Sequence, residues 1–152
     1  NRIRKVSDTA VVQAQKMLLT WAAEDLNLLQ SIRSYLTVEH FCDEPYHTVA
    51  KMMYEQYEAE GSVTPARIIG HYDSTEEQAL VAGLFSVALR EDMTDAERER
   101  TFSDTVKRIM KNFLDVKGKE AIEQNDIATY QKIVKETMNL QKLHISLNGR
   151  QQ

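Results

Sequence analysis

Apolar side chains recur along most of the chain at the three- and four-residue spacing of an α-helix. No stretch shows the sustained alternation, bounded by hairpin turns, that is typical of strands. The first helix is predicted from Asp8 to about Ala23, and its main apolar stripe consists of Val11, Ala14, Leu18 and Trp21. The pattern therefore predicts an all-α fold in which this helix is largely buried.

Capping residues and prolines indicate where the next helices begin and end. A second helix is predicted to end at Tyr35, and Thr37 can then cap a short turn that brings Phe41 inward. Further helices are predicted to begin at Pro45, Thr64–Pro65, Ser74 and Thr94. The helix that follows Pro45 is predicted to end at Gly61.

The two helices after Ser74 and Thr94 carry more detailed predictions. The helix after Ser74 is apolar on most sides, which is typical of the centre of a bundle; its apolar residues are Leu80, Val81, Leu84, Phe85, Val87, Ala88 and Leu89. The helix after Thr94 is long, and Gly118 is predicted to bend or end it; its apolar stripe is Phe102, Val106, Ile109, Phe113 and Val116.

The last helix is predicted to follow a polar turn at residues 123–126, with Asn125 or Asp126 as its cap, and to run to about Leu147. On a helical wheel it carries two apolar arcs. One arc consists of Ile127, Val134, Met138 and Ile145, and the other of Ile133, Leu140, Leu143 and Leu147. One apolar arc is enough to attach the helix to its neighbours. The other arc must therefore contact another part of this chain, a second copy of it or a partner protein. Burial within the chain is an equally good explanation.

These elements predict a helical bundle of about six helices followed by a C-terminal helical hairpin. The bundle is predicted over residues 8–110 and the hairpin over residues 111–148, with a linker at 1–7 and a tail at 149–152. The chain starts at Asn1, and Arg2, Arg4 and Lys5 are interpreted as the end of a linker from an upstream domain.

Composition agrees with a helical protein of the cytosol. Apolar residues make up 42% and charged residues 28% of the 152 positions, and a single cysteine, Cys42, leaves no intrachain disulfide. The formal net charge is −4, with 10 basic and 18 acidic side chains in residues 1–104 but 9 basic and 5 acidic in residues 105–152. The two regions are expected to face different partners or each other.

No motif in the chain predicts catalysis. His40, Cys42 and His47 can bind metals, but their spacing matches no common site, and we interpret them as packing residues. The acidic run from Glu91 to Glu99 is interpreted as a solvated helix start. The five glycines are isolated, so no phosphate-binding loop is expected, and no basic segment interleaved with aromatics predicts specific nucleic-acid recognition.

Three parts of the chain together resemble the C-terminal domain of bacterial DNA primases of the Firmicutes type, and the resemblance covers nearly the whole chain. The matching stretches are residues 16–21 (KMLLTW) with 24–25 (ED), residues 35–41 (YLTVEHF) with 44–50 (EPYHTVA) and 55–58 (EQYE), and residues 140–147 (LQKLHISL).

The resemblance implies a domain that docks primase on the replicative helicase at the fork and modulates the helicase, with no catalytic residue, cofactor or metal of its own. The parent chain would synthesise RNA primers, with its zinc and its catalytic divalent metal, such as magnesium, in upstream domains. The helicase N-terminal domains are the implied partner, in the cytoplasm, with no membrane and no direct sequence-specific nucleic acid contact. The expected partner-binding residues lie on the hairpin and are Ile133, Lys135, Met138, Leu140, Lys142, Leu143, Ile145 and Leu147.

Two alternatives stay open. The primase domain resembles in fold the N-terminal domain of the helicase itself, which is the second interpretation, although the ending at residues 140–147 argues against it. The third is a small helical enzyme that uses His40, Cys42 and His47 with a metal ion.

Overall fold

The computed structural model describes residues 8–86 and 93–143 together with Ile145 and Leu147. Within these residues the chain forms seven α-helices and a short 3-10 turn, η1, without any strand, so the predicted all-α fold is confirmed. The elements are α1 (Thr9–Glu24), α2 (Leu26–Tyr35), η1 (Val38–His40), α3 (Tyr46–Glu60), α4 (Pro65–Gly70), α5 (Thr75–Leu84), α6 (Asp95–Glu123) and α7 (Ile127–Leu140).

Side-chain caps begin α1 and α6. The Asp8 carboxylate accepts the backbone N–H of Val11 at 3.0 Å and starts α1. Thr94 and Glu97 form a capping box at the start of α6, because each side chain accepts the backbone N–H of the other residue. The predicted capping box at Thr94 is therefore confirmed.

The bundle is built around α1, which packs against α2, α3, α5 and α6. Leu18 and Ala22 are fully buried on α1, and Leu29 faces them from α2 within the same apolar cluster. The short turn η1 places Phe41 in this core with no exposed surface, as predicted. Gly61 ends α3 in the left-handed conformation, with φ of 72°.

The prediction that the helix after Ser74 lies at the centre of the bundle is wrong. Only Val81 and Leu84 of α5 are buried, and Leu80 is 54% exposed. The central position belongs to α1, so α5 needs only one attached face. Val87, Ala88 and Leu89 lie outside the described residues, as do the predicted linker at 1–7, the tail at 149–152 and the acidic residues Glu91 and Asp92.

The longest helix, α6, belongs to both the bundle and the hairpin. Its 29 residues span about 43 Å without a break, and the predicted boundary at residues 110 and 111 falls inside it. Phe102, Val106 and Ile109 of its first half are buried in the core, as the stripe predicts, but Val116 is 40% exposed. Of the two outcomes predicted for Gly118, a bend or an end, the end is wrong, because α6 continues to Glu123.

The last helix is shorter than the sequence predicts. It ends at Leu140 rather than near Leu147, and a turn follows in which the N–H of Leu143 is donated to the carbonyl of Leu140. Leu143, Ile145 and Leu147 then pack against the core of the bundle, with Ile145 fully buried. Burial of these side chains competes with continuation of the helix, and the competition is not visible in the apolar periodicity.

Candidate functional site

The hairpin of α6 and α7 is closed by a tight turn that is held by hydrogen bonds between residues close in sequence. Asn125 adopts the left-handed conformation, with φ of 57°, and the N–H of Asp126 is donated to the carbonyl of Ala121 at 2.8 Å. Asp126 then caps α7, and hydrogen bonds from the hydroxyl and the backbone N–H of Thr129 hold the pKa of Asp126 below its usual value. The carboxylate is therefore well suited to the positive end of the helix.

One face of α7 packs against the second half of α6. Ile133 and Leu140 are each 8% exposed on α7, and Ala121 is buried on α6, against which α7 packs. Gly118 lies beneath Ile133 and Tyr130, so that a methyl group added at Gly118 would meet Ile133 Cγ2 at 3.6 Å. The attaching arc is therefore the one that contains Ile133 and Leu140.

The opposite face of α7 carries an apolar stripe that no part of the described chain covers. Ile127, Val134 and Met138 are 58%, 40% and 63% exposed. Their spacing of seven and then four residues places them along one side of the helix over about 16 Å. Ile122, at the end of α6, adds a further apolar side chain that is 52% exposed at the same end of the hairpin as Ile127.

Exposed lysines accompany the apolar stripe. Lys135 lies about 60° around α7 from Met138, and Lys142 follows the end of the helix. Both side chains belong to exposed residues. An apolar row with cations at its border favours contact with a protein surface that combines apolar pockets and acidic side chains.

The structure divides the predicted partner-binding residues into two groups. Met138, Lys135 and Lys142 lie on the exposed surface. The remaining five are buried or half-buried within the chain, namely Ile133, Leu140, Leu143, Ile145 and Leu147.

Placing Leu143, Ile145 and Leu147 on arcs of the last helix is wrong, since all three follow its end at Leu140. Ile127 and Val134 were assigned to an arc but not to the expected contact set, and the structure brings both beside Met138 on the open face. Their i, i+7, i+11 spacing is the signal that could have selected them.

His40, Cys42 and His47 make hydrogen bonds within the fold. Nδ1 of His40 accepts the N–H of Thr37 at 3.0 Å, and Nδ1 of His47 lies 3.0 Å from the carbonyl oxygen of Phe41. The Cys42 thiol points to the carbonyl of His40 at 3.6 Å. Among residues 8–86 and 93–143, no three His, Cys, Asp or Glu side chains gather as a metal-binding group.

A groove of about 780 Å³ lies between α2 and the start of α6. Its walls are polar, and the ion pair between Arg98 and Asp25, at 3.1 Å, crosses from one helix to the other. Leu147 forms part of the wall beside Glu99. The C-terminal segment of the described chain is therefore part of this surface.

No protein-family model and no curated protein matches this amino-acid sequence. In the part of the chain that the structure describes, no helix is both long enough and apolar enough to cross a membrane.

Proposed function

We propose that this chain is the helicase-binding domain of a bacterial DNA primase, which docks primase on the replicative helicase in the cytoplasm. The open apolar stripe of Ile127, Val134 and Met138 is the observation that carries the proposal, because apolar side chains aligned on one exposed face are typical of an interaction surface. The resemblance to primase of the three stretches given above supplies the identity of the partner.

In this proposal the domain binds and does no chemistry. The stripe inserts apolar side chains between elements of the helicase N-terminal domains, and Lys135 and Lys142 meet acidic side chains at the border. Binding recruits primer synthesis to the fork and modulates the helicase by favouring one arrangement of its ring, which is a population shift.

The test is calorimetric titration of the domain into the replicative helicase of the same organism. Met138→Asp should weaken binding by at least about tenfold, equivalent to about 1.4 kcal/mol, because a charge would replace an apolar contact. Leu80→Asp is the matched control, since Leu80 is 54% exposed on α5, outside the hairpin, and its affinity should be unchanged.

Point substitutions isolate the stripe better than truncation after Asp126 would, because that truncation also takes Ile145 out of the bundle core. Equal loss of affinity in Met138→Asp and Leu80→Asp would mean that the effect is not specific to the stripe and that the interface lies elsewhere on the domain. Absence of binding by the folded wild-type domain would overturn the primase proposal and favour the helicase-like alternative, which self-association would then test.

A further inference from the structure

The segment after α7 returns to the bundle and joins its core. Leu143, Ile145 and Leu147, called the strap from here on, alternate along the chain, and Ile145 has no exposed surface. The backbone N–H of Leu147 is donated to the Glu99 carboxylate at 3.0 Å, near the start of α6. The strap therefore connects the end of the hairpin to the opposite end of α6.

The buried side chains of α7 lie outside the main apolar core of the bundle. The main apolar core includes Ile145, with Leu143 and Leu147 packed against it, but it does not include Ile133 or Leu140. Those two side chains are buried where α7 packs against α6. Consequently α7 is held from two directions, by the second half of α6 and by the strap.

The length of the strap depends on where α7 ends. Ile133 packs near Gly118, and the backbone N–H of Leu147 is donated to Glu99. The 14 residues from Ile133 to Leu147 therefore cover the same distance as the 19 residues of α6 from Glu99 to Gly118. Those 19 residues span about 28 Å, whereas 14 helical residues would span only about 21 Å. The described residues after Leu140 are not helical, and a larger rise per residue than that of a helix covers the difference. If α7 continued as a helix, Ile145 would not reach the position it occupies in the core.

We infer that the strap is an intramolecular clasp, in which burial of Ile145 in the bundle orders the C-terminal turns of α7 and release of Ile145 loosens them. Val134 and Met138 lie in these turns. The clasp therefore also keeps this part of the apolar stripe in its helical conformation. This last consequence rests on the proposed function, whereas the coupling of the strap to α7 does not.

Hydrogen exchange of the whole chain, without any partner, tests the clasp. In Ile145→Ser, the backbone amides of residues 133–140 should exchange at least about tenfold faster, since the hydroxyl and the lost methyl groups disfavour the buried position. The amides of α1 and α3 should keep their protection. Met138→Ser is the matched control, because Met138 is exposed on the same turns, and its exchange should equal that of the wild type within about twofold.

Unchanged exchange of residues 133–140 in Ile145→Ser would overturn the inference, and so would equal acceleration in α1, α3 and α7, because Ile145 would then be an ordinary core residue. If Ile145→Ser does not fold, Leu147→Ser decides the matter with a smaller perturbation, since Leu147 is only half-buried. A selective acceleration of about threefold in α7 is expected there, and none would overturn the clasp.

Titration of Ile145→Ser into the helicase separates the clasp from the proposed function. Ile145→Ser should bind more weakly if both hold. Faster exchange of α7 with unaltered binding would support the clasp and contradict its role at the stripe. Failure of the wild-type domain to bind would overturn the proposed function and leave the exchange result as it stands.

Discussion

The two halves of α6 belong to one continuous helix but have very different surroundings. Phe102, Val106 and Ile109 in the first half are fully buried, and Phe102 contacts the ring of Trp21 with centroids 6.4 Å apart. In the second half only Gly118 and Ala121 are buried. The bundle therefore holds most of the buried apolar side chains, while the hairpin leaves apolar side chains exposed.

The largest expected effect is a difference in stability between core substitutions in the two regions. Phe102→Ala should lower the free energy of unfolding by about 3–5 kcal/mol, whereas Ile133→Ala should lower it by only about 2 kcal/mol, because its site is shallow and bordered by solvent. Denaturant unfolding followed by Trp21 fluorescence measures both. Equal losses would show that the hairpin and the bundle share one core.

A smaller effect of opposite sign is expected at the hairpin. Gly118→Ala should raise the free energy of unfolding by about 0.5–1 kcal/mol, because alanine favours the helix and its methyl group would make ordinary contact with Ile133. The control is Gly61→Ala, at a φ of 72°, which should destabilise the chain by about 1 kcal/mol. Destabilisation by both would mean that α6 and α7 approach too closely for a methyl group.

The smallest effect concerns the junction of the two regions, where the His40 ring lies 4.4 Å from that of Phe113 on α6. Burial lowers the pKa of His40 below 6.5, although the charge of Glu39 opposes the shift. The unfolded chain therefore takes up the proton first. This contribution to stability is complete above pH 6.5 and is lost as the pH falls through the lowered pKa.

Denaturant unfolding at several pH values tests this prediction. His40→Gln should reduce the decline in stability below pH 6.5 relative to the wild type. An identical pH profile in the two proteins would place the titrating group elsewhere.

Much of the fold follows from short-range features of the sequence. The Thr94 and Glu97 capping box, the Asp126 cap and Gly61 at the end of α3 act within a few residues of themselves, so their positions can be predicted without tertiary contacts. The two apolar faces of α7 were also predictable as far as Leu140, whereas the assignment of Leu143, Ile145 and Leu147 to them was wrong.

Tertiary packing decided the features for which distant parts of the chain compete. The central position went to α1 rather than to the equally apolar α5, and α7 ended at Leu140 because Leu143, Ile145 and Leu147 are buried in the bundle. It also decided which arc of α7 faces α6 and which one stays open. The sequence by itself determined that the chain is helical, where most helices begin and that α7 has two apolar faces. The allocation of those faces depends on shape and volume across the whole core, which local periodicity does not contain.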